Sequence, residues 1–298
     1  MEAILWVVQN IILAFYNFAY AIFQPHTWLN WANPEAVMTT IYYGASVEFF
    51  FFFLTAFLTI FGVGIWYRGF LWGVVTGLEG FANVVGRIAA WAGVLMVIQQ
   101  IFIVVIQRIF LEAQISFALG IAFTKDISWF AEELKLYNAI IICLCGAYTF
   151  VQGGHVRVDL VYAAVSHKTK RLIDMFGCIV FMLPAMLVTW FYSWFFLWRH
   201  LVTPKVSASD PFDRMLMKAR AMKWNVETTG FSPNGFNAYF LFKVLMVFFC
   251  LMMILQAVAF FYRSYLEYVE GEDSADKYLD RDILEDTTGP TPSLQEGH

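Results

Sequence analysis

Six apolar stretches dominate this sequence, and their length constrains the fold more than any other feature. They cover residues 4–23, 42–67, 81–110, 136–152, 172–198 and 236–262. A helix needs roughly 17–25 residues at 1.5 Å rise to cross a bilayer. Backbone groups left unpaired in hydrocarbon are too costly, so runs of this kind read as helices rather than open sheets. Hydrophobic residues make up 60% of the 298 positions and charged residues only 14%. A soluble domain carries about 25% charged residues. The expectation is an all-α integral membrane protein with about six transmembrane helices.

Details within the stretches refine this reading. Ala19-Tyr20-Ala21 resembles a signal cleavage site, but no Lys or Arg precedes it and Gln9, Asn10 and Asn17 interrupt the run. The first stretch is therefore read as a retained helix. Residues 24–35 form a loop with Trp28 and Trp31 and no basic residue, and the glycine-rich residues 69–80 read as a short connection. Arg87 and Arg108 lie near the ends of the third stretch and can snorkel to the interface. Gln99 and Gln100 are central, which calls for hydrogen bonds to another helix. Pro184 should kink the fifth stretch. Trp190, Trp194 and Trp198, four apart, make one aromatic stripe suited to lipid or a partner helix.

Residues 112–133 carry Lys125, Asp126, Trp129, Glu132 and Glu133, too polar to span. They read as an interfacial amphipathic arm helix. The loop 200–235 is basic and contains Pro204, Pro211 and Pro233. Residues 264–298 hold ten acidic and two basic residues, a net of −8, against +4 for residues 1–263. The negative charge is thus a tail, read as a short helix followed by disorder. The charge pattern does not point to nucleic acid. Basic residues in short loops mark the cytoplasmic side, and Lys168, Lys170 and Arg171 place both termini there. The basic loop 200–235 counts against that orientation.

The side chains exclude several chemistries. His26, His155, His167, His200 and His298 lie in loops, at helix ends or in the tail, so no helix carries a haem-ligating pair. The cysteines Cys143, Cys145, Cys178 and Cys250 have no metal spacing and read as small core residues. No phosphate-cradling glycine loop with Lys and Ser or Thr is present. No nucleophile–base pair and no inverted repeat stands out. The residues alone lead to a helical scaffold or accessory subunit, and not to an enzyme.

One polar cluster stands apart. Gly154-His155-Val156-Arg157-Val158-Asp159 follows the fourth stretch directly, and His155 and Asp159 share a face whether the segment is helical or extended. Together with Arg108 at the end of the third stretch and Trp129-Phe130-Ala131-Glu132-Glu133 before the fourth, it resembles the small permease subunit, DctQ type, of tripartite ATP-independent periplasmic (TRAP) transporters. The resemblance covers residues from about 81 to 263. It implies a four-helix core in residues 81–263, preceded by an extension, residues 1–80, with two further helices, and followed by the acidic cytoplasmic tail, residues 264–298.

The resemblance further implies a scaffold for a large permease subunit, DctM type, which carries the substrate and sodium sites and moves as an elevator. A periplasmic substrate-binding protein, DctP type, would deliver an organic anion. Arg108, Trp129, Glu132, Glu133, Gly154, His155, Arg157 and Asp159 carry over as interface or structural residues. No catalytic residue, metal site or cofactor is expected in this subunit, with sodium at the large partner and membrane lipids around it. The competing readings are a membrane anchor of a redox enzyme complex and an autonomous transporter. The expected location is the bacterial inner membrane.

Overall fold

The computed structural model describes residues 2–118, 122–153, 165–228, 232–275, 277–280 and 282. Its principal elements are α1 (Glu2–Phe23), α2 (Pro34–Tyr43), α3 (Val47–Trp66) and α4 (Arg68–Val105). A hairpin of β1 (Gln114–Ala118) and β2 (Ala122–Asp126) leads into α5 (Ile127–Val151). Then come α6 (His167–Gly177), α7 (Leu183–Trp198), β3 (Val202–Thr203), α8 (Phe212–Arg220), β4 (Lys223–Trp224) and α9 (Phe240–Glu270). Six helical segments are long and apolar enough to cross a membrane, as the sequence predicts, with α6 and α7 forming one of them. The protein is a multi-pass helical membrane protein.

The last helix, α9, is the centre of the bundle. It packs against α4, α5, α6 and α7, and Cys250, Ala257, Tyr262 and Leu266 along it are fully enclosed. Between lipid-embedded helices there is no water to expel, so close backbone approach and interhelical hydrogen bonds do the holding. Gly86 is the clearest case. A Cβ there would lie 2.1 Å from the Cβ of Tyr148, so only glycine lets α4 and α5 meet. Tyr262 on α9 donates to the Phe57 carbonyl on α3 at 2.8 Å, its ring stacked on Phe57.

The bundle has two ends. At the hairpin end lie the close of α4, the start of α5, the close of α7 and the start of α9. At the tail end lie the start of α4, the close of α5, the start of α6 and the close of α9. The fifth stretch changes its winding ahead of Pro184. The chain forms a π turn at Cys178–Met182 before α7, which absorbs the hydrogen bond that proline cannot donate.

Four expectations need correction. Residues 69–80 are not a connection, because α4 runs unbroken from Arg68 to Val105, and the boundary placed after residue 80 falls inside it. Gly69, Gly73, Gly77 and Gly80 face open space while Leu71, Trp72, Val75 and Glu79 are buried. That packing outweighs about 1 kcal/mol of helix propensity lost per glycine. Residues 112–126 are not an arm helix. Gln114 pairs with Asp126 and Ser116 with Thr124 in an antiparallel ladder, with side-chain hydrogen bonds across both pairs. Cross-strand polar pairs of this kind stabilise a ladder, and the helix starts only at Ile127.

The start of the tail is helical as expected, but as a buried continuation of the last helix. Helix α9 continues to Glu270, with Ser264 and Glu267 buried. Residues 277–280 and 282 then lie back along α4 and α5; residues 283–298 are outside the described set. Finally, α2 was not expected within the loop and second stretch. Its signals are local: Asn33 accepts from Glu35 N at 3.0 Å as N-cap, and Pro34 occupies the first turn, where a proline costs nothing.

The N-terminal extension and the long basic loop form one unit. Val37, Met38 and Ile41 of α2 pack with Trp198, Val202, Val206 and Ala219. The tryptophan stripe meets protein there, not lipid. Trp190 Nε1 donates to the Gly44 carbonyl at 2.9 Å and Trp194 Nε1 to the Ile41 carbonyl at 2.8 Å. Gly44 permits this, since a Cβ would lie 2.2 Å from the Trp194 ring. Helix α1 is placed differently. Trp6 packs edge-on to Phe51 and Phe18 stacks on Phe52. Trp6 and Phe18 are about 18 Å apart along α1, yet they meet adjacent residues of α3. Helix α1 therefore crosses the first turns of α3 instead of running beside it.

Candidate functional site

Polar side chains converge at both ends of the bundle, and the two sets differ in kind. At the hairpin end the Trp129–Glu133 motif sits on the first turns of α5. Glu132 accepts from Ser232 Oγ at 3.0 Å and from the Phe236 amide at 2.8 Å. It thereby fixes the turn that feeds α9. Gly235 is required by this approach, because a Cβ would lie 2.1 Å from Glu132 Oε2. Trp129 packs edge-on to Phe236 at 5.4 Å. Glu133 faces the other way, toward α4, and accepts from Gln99 Nε2 at 3.1 Å. The same amide donates to the Phe130 carbonyl at 3.0 Å.

The sequence expectation for Gln99 thus holds, whereas Gln100 is exposed. The two carboxylates of the motif have separate tasks: Glu132 holds α5 to α9 and Glu133 holds α5 to α4. Arg108 is not part of this cluster. It lies exposed on a π turn, Ile106–Phe110, that closes α4. Gly154, His155, Arg157 and Asp159 lie outside the described residues.

At the tail end is a buried ionic network that the sequence reading did not anticipate. Arg263 on α9 grips Glu79 on α4 with two contacts, Nε to Oε1 at 2.7 Å and Nη2 to Oε2 at 2.5 Å. It also donates to the Lys277 carbonyl at 3.0 Å and reaches Glu267 at 3.5 Å. Glu267 pairs with Arg171 on α6 at 2.5 Å, and Arg171 with Asp174 at 3.2 Å. Glu79 is 5% exposed, Arg263 6% and Glu267 1%. Charges this deep persist only when paired and hydrogen-bonded. Three helices are therefore tied by one network of three carboxylates and two guanidiniums. The available signal was Glu79 itself, a lone acid in an otherwise uncharged stretch of residues 69–86.

The tail adds a third contact beside this network. Asn83 and Gln152 side-chain amides donate to the Asp280 carbonyl at 2.8 and 3.0 Å. Arg87 pairs with Asp280 at 3.0 Å and Asp282 at 2.7 Å. The Arg87 guanidinium holds both carboxyls below the usual carboxylate range. At the hairpin end, Asp210 anchors the extracted loop. Tyr42 donates to it at 2.6 Å and Lys218 pairs with it. Burial disfavours its charge, but the Lys218 and Tyr42 hydrogen bonds still hold the carboxyl below its ordinary value. Burial, then the hydrogen bond to Asp210 and its charge, push the Tyr42 phenol up.

Most of the hydrogen bonds and ion pairs in these clusters join one element to a neighbouring one. The arrangement binds helices together and, among the described residues, presents no nucleophile with an adjacent base. Neither a curated protein nor a solved structure matches the chain. A family model described as tripartite ATP-independent periplasmic transporters, DctQ component, matches residues 101–267. That span takes in the Trp129–Glu133 clamp, α5, the polar segment after it, α6, α7, the loop and nearly all of α9. The chain belongs to the DctQ component family of the tripartite ATP-independent periplasmic transporters, and is a membrane component of such a transporter complex.

Proposed function

We propose that this chain is the small scaffold subunit of a sodium-coupled, binding-protein-dependent importer of an organic anion. It holds a large, elevator-type permease subunit of the DctM type at fixed depth in the inner membrane. A periplasmic binding protein of the DctP type delivers the carboxylate substrate. This subunit binds no cofactor, and sodium binds at the large partner. One observation carries the reading: the buried charges Glu79, Arg263 and Glu267, with the half-buried Arg171, are spent on each other across three helices. Charges that serve an ion path line a cavity, whereas these lock a bundle.

The hairpin end, where α1 crosses the first turns of α3, lies in the periplasm, and the tail end, with the carboxyl terminus, lies in the cytoplasm. Lys168, Lys170 and Arg171 favour this side for the short loop before α6. The five basic residues of loop 200–235, which folds against α2, count against this orientation. Arg108, Trp129, Glu132, Glu133 and the Gly154–Asp159 segment serve assembly.

The test is to tag the chain, identify what co-purifies in mild detergent, and measure uptake in proteoliposomes with and without that partner. Sodium-dependent uptake only with the partner is expected. Sodium-driven uptake by this chain alone, or haem absorbance in the pure protein, overturns the proposal. Removing residues 1–66 tests the extension: loss of complex recovery is expected, since α2 and α3 cover the tryptophan stripe.

A further inference from the structure

A groove of about 1020 Å³ opens at the hairpin end between α1, α3 and α7. Its volume is at the top of the ~300–1,000 Å³ range of small-molecule sites. Helix α3 supplies the floor with Phe50 and Leu54, α7 one wall with Phe191, and α1 the other with Trp6. At its mouth lie Arg199, one residue past the end of α7, and Ser207 of the following loop. Nearly all other lining groups are apolar.

We propose that this groove binds one anionic phospholipid, with its phosphate on the Arg199 guanidinium and an acyl chain against Phe50, Leu54 and Phe191. Three observations favour that occupant. The first is charge. Among the described residues, the Arg199 side chain has no ion-pair or hydrogen-bond partner. The nearest acid in sequence, Asp210, is taken by Lys218 and Tyr42. An external anion is what the site lacks. An arginine at a helix C-terminus also complements the helix dipole, but that role leaves its outer donors open.

The second is depth. Ser46 caps α3 at the same end as Arg199, and Leu54 lies about 12 Å further along the helix. A cation above an apolar slot of that reach suits a headgroup and the upper part of a chain. The third is shape. Helix α1 crosses α3 at its first turns, with Trp6 against Phe51. A partner's transmembrane helix, about 30 Å long in hydrocarbon, cannot run down α3 past that crossing, whereas a flexible acyl chain can end beneath it. Only Ala14 of α1 is buried by protein, so the bound chain also joins α1 to α7. The inference does not depend on the transport role.

The test uses the full chain, purified in mild detergent and exchanged with phosphatidylglycerol or phosphatidylcholine of matched acyl chains. Native mass spectrometry then counts the lipids retained. The expected result is one retained phosphatidylglycerol, preferred over phosphatidylcholine by about fivefold, the effect of one basic side chain at a headgroup. Arg199→Gln, an exposed position, should abolish the preference, and Leu54→Trp should remove the bound lipid of either kind. Equal retention of the two lipids by the unaltered chain overturns the proposal. So does complete loss of lipid on detergent washing, or an unchanged preference in Arg199→Gln.

Discussion

Arg263→Met should destabilise the bundle by roughly 3–5 kcal/mol, the usual effect of removing one partner of a buried ion pair. Met reaches only as far as the Arg Nε position, so the apolar stem is kept while the guanidinium charge and its hydrogen bonds are lost. Arg263 is 6% exposed and makes two contacts to Glu79 at 2.7 and 2.5 Å. Charge centres about 4 Å apart interact by about 4 kcal/mol at an effective dielectric of 20. Without Arg263, Glu79 remains buried with no other basic partner among the described residues. Glu267 is better protected, because Arg171 holds it at 2.5 Å. The Lys277 carbonyl loses its donor as well, which frees the start of the tail.

The measurement is unfolding in mixed micelles by increasing SDS, followed by circular dichroism, with a double-mutant cycle on Glu79 and Arg263. Glu79→Gln with Arg263→Met should be more stable than Arg263→Met alone, since the orphaned charge is gone. Arg263→Lys should fall between, because an ammonium cannot span both Glu79 oxygens and the carbonyl. A loss below about 1 kcal/mol, the scale of an exposed pair, refutes the reasoning. So does a coupling energy near zero.

Gly235→Ala should displace the Glu132 carboxylate from the Phe236 amide and destabilise by about 1–3 kcal/mol, as Glu132→Ala should also do; the two effects should not add, and additivity in thermal unfolding contradicts the clamp. Gly44→Ala should detach α2 and α3 from the tryptophan stripe, seen as faster amide exchange across residues 34–44 with the rest of the bundle unaffected. The Asp210 contacts set a pH dependence. Its folded value is depressed, so its stabilisation is complete above the ordinary carboxylate value and is lost as pH falls through the lowered one. Exchange in residues 200–225 should rise at acid pH in the native chain, and Asp210→Asn should show raised exchange at neutral pH with little further change. Arg87→Gln should expose the tail to protease at low salt. The native chain should approach that sensitivity near 1 M salt, where the screening length is about 3 Å.

The sequence by itself determined the membrane class, the number of apolar helices and the family. Those properties follow from run length, charge scarcity and short local motifs, which need no neighbour to be read. The Gln99 contact and a local irregularity near Pro184 were legible for the same reason: a polar amide in hydrocarbon must find a donor or acceptor, and proline lacks a donor. Tertiary structure alone decided the rest. Glycines at 69, 73, 77 and 80 suggest a turn until Leu71, Trp72, Val75 and Glu79 are seen buried against α9. Glu79 and Arg263 are 184 residues apart, as are the loop around Asp210 and α2 by nearly as many, and no local pattern links them. Their pairing depends on where the bundle brings the backbone. The cost of an unpaired charge away from water makes such contacts decisive once formed, and the same chemistry leaves Arg199 open at the edge of the groove.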